Sequence, residues 1–221
     1  MGRTPEIKIC GITRSEEAAA LNEIKAAYAG FVFWKRSRRK VSFCQAEEIR
    51  KHLDEGVKRV AVTVSPELEL LRNIEQAEFD IIQIHGSLRE EVLNKSRIPV
   101  WQACNIEKPE DLKSLRRHEK ITGYVLDAGT AGGGRPFDWT DSKAAVDQAR
   151  AMWFEGKIFV LAGGLNPGNV REAVGLFSPD VVDVSSGVEG KKGKERGMIL
   201  EFAEKVRRCE KTCESIYEID G

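Results

Sequence analysis

Two spacings of apolar residues interleave along the chain. Short runs dense in Val, Ile and Phe read as strands: EIKICGI (6–12), YAGFVFW (28–34), VKRVAVTVS (57–65), FDIIQIHG (79–86), IPVWQACNI (98–106), ITGYVLDAG (121–129), KIFVLAGG (157–164) and DVVDVSSGV (180–188). Between them, SEEAAALNEIKAA (15–27), QAEEIRKHL (45–53), ELELLRNIEQA (67–77), PEDLKSLRRH (109–118), PGNVREAVGLF (167–177) and RGMILEFAEKVRR (196–208) carry apolar residues at helical intervals. Start signals agree: Thr13 and Glu16 match a capping box, and Ser65-Pro66 and Asn166-Pro167 each put a cap residue before a proline. Eight strands alternating with helices in 221 residues, a little under the about 250 usual for the fold, predict an α/β chain forming a (β/α)8 TIM barrel. An open doubly wound sheet is the alternative. With no linker or composition shift, one domain spans 1–221, and the polar stretch from about 209 is expected to fray.

In such a barrel the reactive groups sit at the C-terminal strand ends. Side chains two apart share a face, so Ile7 and Ile9 turn to the helices while Lys8 and Cys10 face the axis. The same parity turns Gln83 and His85, Val125 and Asp127, and Asp183 and Ser185 inward, collecting polar groups at one mouth. The last two strands end in LAGGLNPGN (161–169) and VSSGVE (184–189). Their glycines admit close backbone approach, and free amides there would form an anion site where barrels commonly hold a phosphate. No G-x-x-x-x-G-K-[ST] run is present, which removes an NTPase P-loop as the source of that signal.

Composition narrows the partners. Thirty-five basic and 35 acidic residues cancel, so no long-range field recruits nucleic acid or an acidic membrane, and a small molecule is favoured. No apolar run approaches the roughly 18 residues of a membrane span, and MGRTPEIK lacks a signal-peptide core. Five cysteines without a C-x-x-C spacing argue against a disulfide framework or zinc knuckle and fit reduced thiols in a cytoplasm. Cys209 and Cys213, four apart with no histidine near in sequence, do not suggest a metal site. On the residues alone, Cys10 stays open between packing, redox, metal and catalytic roles, His85 between a structural hydrogen bond and a ligand contact, and KRSRRK (35–40) reads as a solvated loop.

Six stretches in order, KICGIT, GFVF with the basic loop ending RRKVS, QIHG, VLDAG with GGGRPFDW, LAGGLNP and VDVSSGVE, resemble the phosphoribosylanthranilate isomerase family of tryptophan biosynthesis across about residues 7–208. The resemblance implies an Amadori rearrangement of N-(5′-phosphoribosyl)anthranilate to 1-(2-carboxyphenylamino)-1-deoxyribulose 5-phosphate, with no cofactor and no metal. It implies Cys10 as general base and Asp127 as general acid. A thiol with an ordinary pKa near 8.5 is a poor base at neutral pH unless a cation favours its thiolate. Lys8 is placed to supply that charge, and Asp183 on the next strand to blunt it. Asp127 needs its proton, so a desolvated or anionic surrounding should raise its pKa. By the same resemblance Arg39 grips the anthranilate carboxylate, in a bidentate geometry lysine cannot copy. Gly163, Gly164, Ser186 and Gly187 are expected to hold the phosphate, and His85, Asp183 and Ser185 to complete the substrate-binding set. The protein is expected to be a monomer or homodimer.

Three departures from the family pattern stand out. AVTVS ends the third strand, so Thr63 and Ser65 are expected to alter a pocket wall; QACNI ends the fifth; and GGGRPFDW lacks a Ser or Thr among its glycines. Two competing classes remain. The histidine-pathway isomerase performs the same rearrangement but uses an aspartate on the first strand, where this chain has Cys10. A non-catalytic phosphosugar-binding barrel would lack one of the two proton-transfer groups.

Overall fold

The computed structural model describes residues 3–106, 109–127 and 139–208, so GGGRPFDW up to Asp138 and the stretch from 209, with Cys209 and Cys213, lie outside the described residues. Eight parallel strands close into a barrel in sequence order, the last pairing with the first. They are β1 (Glu6–Cys10), β2 (Tyr28–Val32), β3 (Lys58–Val64), β4 (Ile81–His85), β5 (Val100–Asn105), β6 (Ile121–Asp127), β7 (Ile158–Ala162) and β8 (Val181–Val184). Around them stand α1 (Ser15–Glu23), α2 (Phe43–Arg50), α3 (Leu68–Gln76), α4 (Glu90–Lys95), α5 (Trp139–Trp153), α6 (Val170–Phe177) and α7 (Arg196–Arg207). A small hairpin, β9 (Glu189–Gly190) with β10 (Gly193–Lys194), precedes α7. Among the described residues no helix is long and apolar enough to cross a membrane.

Every expected strand forms; apart from β6, whose expected end at 128–129 lies outside the described residues, each is shorter than its apolar run, and at the C-terminal rim the reason is local. Gly11 (φ +80°) turns the chain out of β1, and Gly163 (φ +92°) and Gly164 (φ +64°) turn it out of β7, conformations glycine adopts without strain. After β8, Ser185 bends the backbone into a 3₁₀ turn (Ser186–Val188). The segment after β5 is a 3₁₀ turn (Pro109–Ser114), not the expected α-helix; Leu112 and Leu115 still bury as the helical spacing implied. Helix α5 and the six-residue α4 escaped the sequence pattern.

The caps also differ. Glu17, not Glu16, closes the first helix start, accepting from the Thr13 amide at 2.8 Å and bracing Arg14. Ser65 is no cap: its φ is +46° and its hydroxyl accepts from the Ser87 amide at 2.9 Å, while α3 begins after Glu67. Asn166 organises a turn ahead of α6, whose cap residue is Asn169.

Two apolar layers follow from strand parity. Ile7, Ile9, Ala29, Phe31, Ile82 and Ile84 pack outward under the helices. Inside, Tyr28, Val60, Val62, Ile81, Trp101, Val125, Val160 and Val181 fill the barrel. Trp101 meets Tyr28 edge to face at 5.0 Å between centroids, a favoured aromatic arrangement. A methyl on Gly123 would stand 2.8 Å from the indole, so that glycine makes the room. This packed floor leaves the C-terminal mouth as the place where polar groups gather.

Candidate active site

Lys8 and Cys10 face the axis, as the alternation predicts. The Lys8 ammonium is fully buried and donates to Asp183 Oδ2 at 2.8 Å, across the β1–β8 seam where the two residues are register partners. Burial works against the ammonium, yet Asp183 and Cys10 outweigh it and raise its pKa. Removing one partner of such a pair would strand a buried charge. Gly30, register partner of Cys10, leaves room above this pair: a methyl there would lie 3.0 Å from the Cys10 sulfur and 3.2 Å from Lys8 Nζ. The glycine of GFVF thus clears space for the thiol.

The thiol itself is pulled two ways. Burial pushes its pKa up, Lys8 and Lys194 pull it down, and Asp183 adds to the rise; the net direction is upward. The expected blunting of Lys8 by Asp183 is therefore present in the geometry. Lys194 is a cation that the sequence pattern did not single out. It lies on β10 inside the hydrophilic stretch GKKGKERG, where no periodicity marks a buried residue, yet its side chain is 1% exposed. Its Nζ reaches Glu189 Oε1 (2.6 Å), the Ser185 carbonyl (3.0 Å) and the Ser185 hydroxyl (3.2 Å), and that hydroxyl donates to the Cys10 carbonyl at 2.9 Å. Ser185 thus braces the end of β1.

Asp127 ends β6 in register with Asn105 and Ala162, and Ala162 belongs to the inner layer, so Asp127 shares the axis-facing side at the same rim as Cys10. His85 ends β4 on that side. The Gln83 amide donates to its Nε2 at 2.9 Å, and burial, then the Lys8 charge, lowers its pKa, so the ring is neutral. The inner wall of β3 is formed by Val60, Val62 and, by parity, Val64. Thr63 points instead to the helix layer with Ala61, its hydroxyl donating to the Gln83 carbonyl at 3.1 Å, so it does not alter the pocket wall as expected.

Arg39 is carried to the mouth by the loop after β2, which returns to the sheet where Lys40 bridges to Val32. Its stem passes over Gly11: a methyl on that glycine would lie 2.4 Å from Arg39 Cδ. The guanidinium is engaged bidentately by Glu189, through Nε at 2.6 Å and Nη2 at 2.8 Å. Arg38 joins the same carboxylate at 2.8 Å. Part of the basic run read as a solvated loop is therefore anchored.

Gly163 and Gly164 follow β7 directly, and Ser186 and Gly187 open the turn after β8. Their four amides donate to no backbone carbonyl of another described residue, leaving N–H groups free for an anion. The two loops are locked together: a methyl on Gly187 would stand 1.9 Å from the Leu165 carbonyl oxygen. Gly187→Ala is expected to destabilise the protein by about 1–3 kcal/mol through overpacking, checked by the denaturation midpoint in urea; an unchanged midpoint would show that the loops part freely.

The described residues hold no cluster of three or more His, Cys, Asp or Glu suited to a metal ion. What the mouth offers is a thiol, a carboxyl group, an arginine and four amides with no backbone acceptor among the described residues, at the rim of one barrel.

Comparison with known proteins accords with this arrangement. The sequence matches the family described as N-(5′phosphoribosyl)anthranilate (PRA) isomerase over residues 7–205. An N-(5′-phosphoribosyl)anthranilate isomerase of Clostridium kluyveri is 39% identical over 204 residues, covering 91% of this chain and 98% of the relative. The crystal structure of the phosphoribosyl anthranilate isomerase from Thermotoga maritima aligns with a TM-score of 0.80 at 33% identity, covering 92% of this chain and 98% of that one. A phosphoribosyl anthranilate isomerase solved with reduced 1-(o-carboxyphenylamino)-1-deoxyribulose 5-phosphate aligns with a TM-score of 0.77 at 32% identity, with the same coverage. The chain belongs to the N-(5′-phosphoribosyl)anthranilate isomerase family and is an isomerase of tryptophan biosynthesis.

Proposed function

We propose that Cys10 and Asp127 carry out the proton transfers of a cofactor-independent Amadori rearrangement of N-(5′-phosphoribosyl)anthranilate. Asp127 gives its proton to the furanose ring oxygen as the bond from sugar carbon 1 to that oxygen breaks, and the anthranilate nitrogen lone pair forms the Schiff base. The Cys10 thiolate then takes the proton from carbon 2, and the resulting enolamine tautomerises to the ketone product. The observation that carries the assignment is the placing of the Cys10 sulfur at an axis-facing strand end beside the buried Lys8 cation. A nearby cation is what a thiol needs to act as a base.

The remaining groups divide by chemistry. Arg39 receives the anthranilate carboxylate. The amides of Gly163, Gly164, Ser186 and Gly187 take the phosphate. Neutral His85 and Ser185 stand at the rim toward the sugar, and Asp183 serves the substrate at one remove by holding Lys8. The relative solved with the reduced product-like compound supports the substrate class. The test follows the loss of phosphoribosylanthranilate fluorescence: the protein should turn it over without added metal or cofactor. Arg39→Lys should raise KM by roughly tenfold, as a bidentate charge-assisted contact is lost. No turnover by the wild type would end the proposal, and an unchanged KM in the variant would remove Arg39 from it.

A further inference from the structure

Four charged groups meet where the loop after β2 crosses the loop after β8, and one carboxylate serves all three cations. Glu189 accepts from Arg39 through Nε and Nη2, from Arg38 at 2.8 Å and from Lys194 at 2.6 Å. The Glu189 side chain is 11% exposed, that of Arg39 23% and that of Lys194 1%, so these three form an inner cluster with the exposed Arg38 at its outer edge. Burial alone would push the Glu189 carboxyl up, but the hydrogen bonds from Arg39 and Lys194 hold its pKa at about 2. The carboxylate is therefore charged at any pH where the enzyme works.

A guanidinium presents two bidentate edges, one made by Nε with a terminal nitrogen and one by the two terminal nitrogens. Glu189 occupies the first, with one oxygen on Nε and the other on Nη2. Among the described residues nothing engages the second edge, which leaves it to another planar acceptor. An arginine reaching across a mouth on an unbraced stem would lose rotamer freedom when it gripped a ligand; one already clamped has lost it in advance. Burial lowers the Lys194 pKa and Arg39 adds a smaller repulsion, while the hydrogen bond and charge of Glu189 work the other way, so the carboxylate between these two cations keeps them compatible.

We infer that Glu189 is a specificity-determining positioning residue, which clamps one edge of Arg39 so that the other meets the substrate's aromatic carboxylate. The inference rests on the proposed role of Arg39 and goes beyond it. Lys194 extends the clamp to Ser185 and thence to the Cys10 carbonyl, so the ligand grip and the end of β1 share one scaffold.

The test is a double-mutant cycle read in steady-state kinetics with phosphoribosylanthranilate. Glu189→Gln is expected to raise KM about tenfold with kcat changed less than threefold, and Glu189/Arg39 double replacement by Gln and Ala is expected to be no worse in KM than Arg39→Ala alone. Circular dichroism and thermal melting verify that each variant is folded; should Glu189→Gln fail to fold, Glu189→Asp, which keeps the charge but cannot span both nitrogens from its shorter stem, takes its place. A KM increase that adds to that of Arg39→Ala would make Glu189 a brace of the loops and overturn the inference, as would equal losses in kcat and KM. If Arg39→Ala itself left KM unchanged, the role of Arg39 would fall first.

Discussion

Replacing Cys10 by serine is expected to lower kcat by about 10²–10⁴-fold, the usual worth of a positioned acid or base, while the affinity for a product analogue stays within a few-fold. The two side chains are close in size, so the pocket that Gly30 leaves for the sulfur accepts the oxygen. What changes is acidity. A serine hydroxyl beside Lys8 does not ionise in the accessible range, whereas a thiol does. Because burial and Asp183 outweigh Lys8 and Lys194 and leave the Cys10 pKa above its ordinary value, the thiolate is the minor form at neutral pH. The sign follows directly: kcat/KM in the wild type should climb as pH rises above neutrality, because the base form becomes more populated. That climb should vanish in the serine variant. Stopped-flow fluorescence at several pH values reads both, and a serine variant with near-normal turnover, or with the same climb, removes Cys10 from the chemistry.

Asp127→Asn should cost a comparable 10²–10⁴-fold in kcat. The amide copies the carboxyl in shape but has no acidic proton to give to the ring oxygen, so binding persists while ring opening stalls. Titration calorimetry with the reduced product-like compound separates the two effects: affinity within a few-fold and collapsed turnover is the expected pair. Unimpaired turnover would move the acid to another rim residue. Affinity lost in step with turnover would mean that the carboxylate binds the sugar instead.

The barrel was legible because each strand is a dense apolar run and the strands are regularly spaced by helices, a global pattern that local errors do not disturb. The errors lie where backbone dihedrals, not hydrophobicity, decide. Gly163, Gly164 and Ser185 end strands that the apolar pattern carried further. Glu17 took the capping role because the chain turns one residue later than the Thr13–Glu16 spacing implied. Within the site, strand alternation alone put Lys8, Cys10, Gln83, His85 and Asp183 on the inner face. The motif VDVSSGVE contains Glu189 but gives no hint that it would clamp Arg39, 150 residues earlier. Lys194 could not be found at all, since its burial arises from a two-residue hairpin folding over Ser185 in a stretch of uniform polarity.

The seam between β1 and β8 joins the two ends of the barrel, and the ion pair that crosses it links residues 175 positions apart. On a ribosome, Lys8 waits for 175 further residues to be added before its counter-charge is made. Until then the first strand cannot be sealed in, because an isolated buried ammonium is costly, and closure over so long a loop is among the slower steps a chain takes. Completion of the cylinder and burial of the paired Lys8 ammonium beside the Cys10 thiol are thus one event, and a nascent or truncated chain lacking its last strand carries the sulfur without that sealed ion pair next to it.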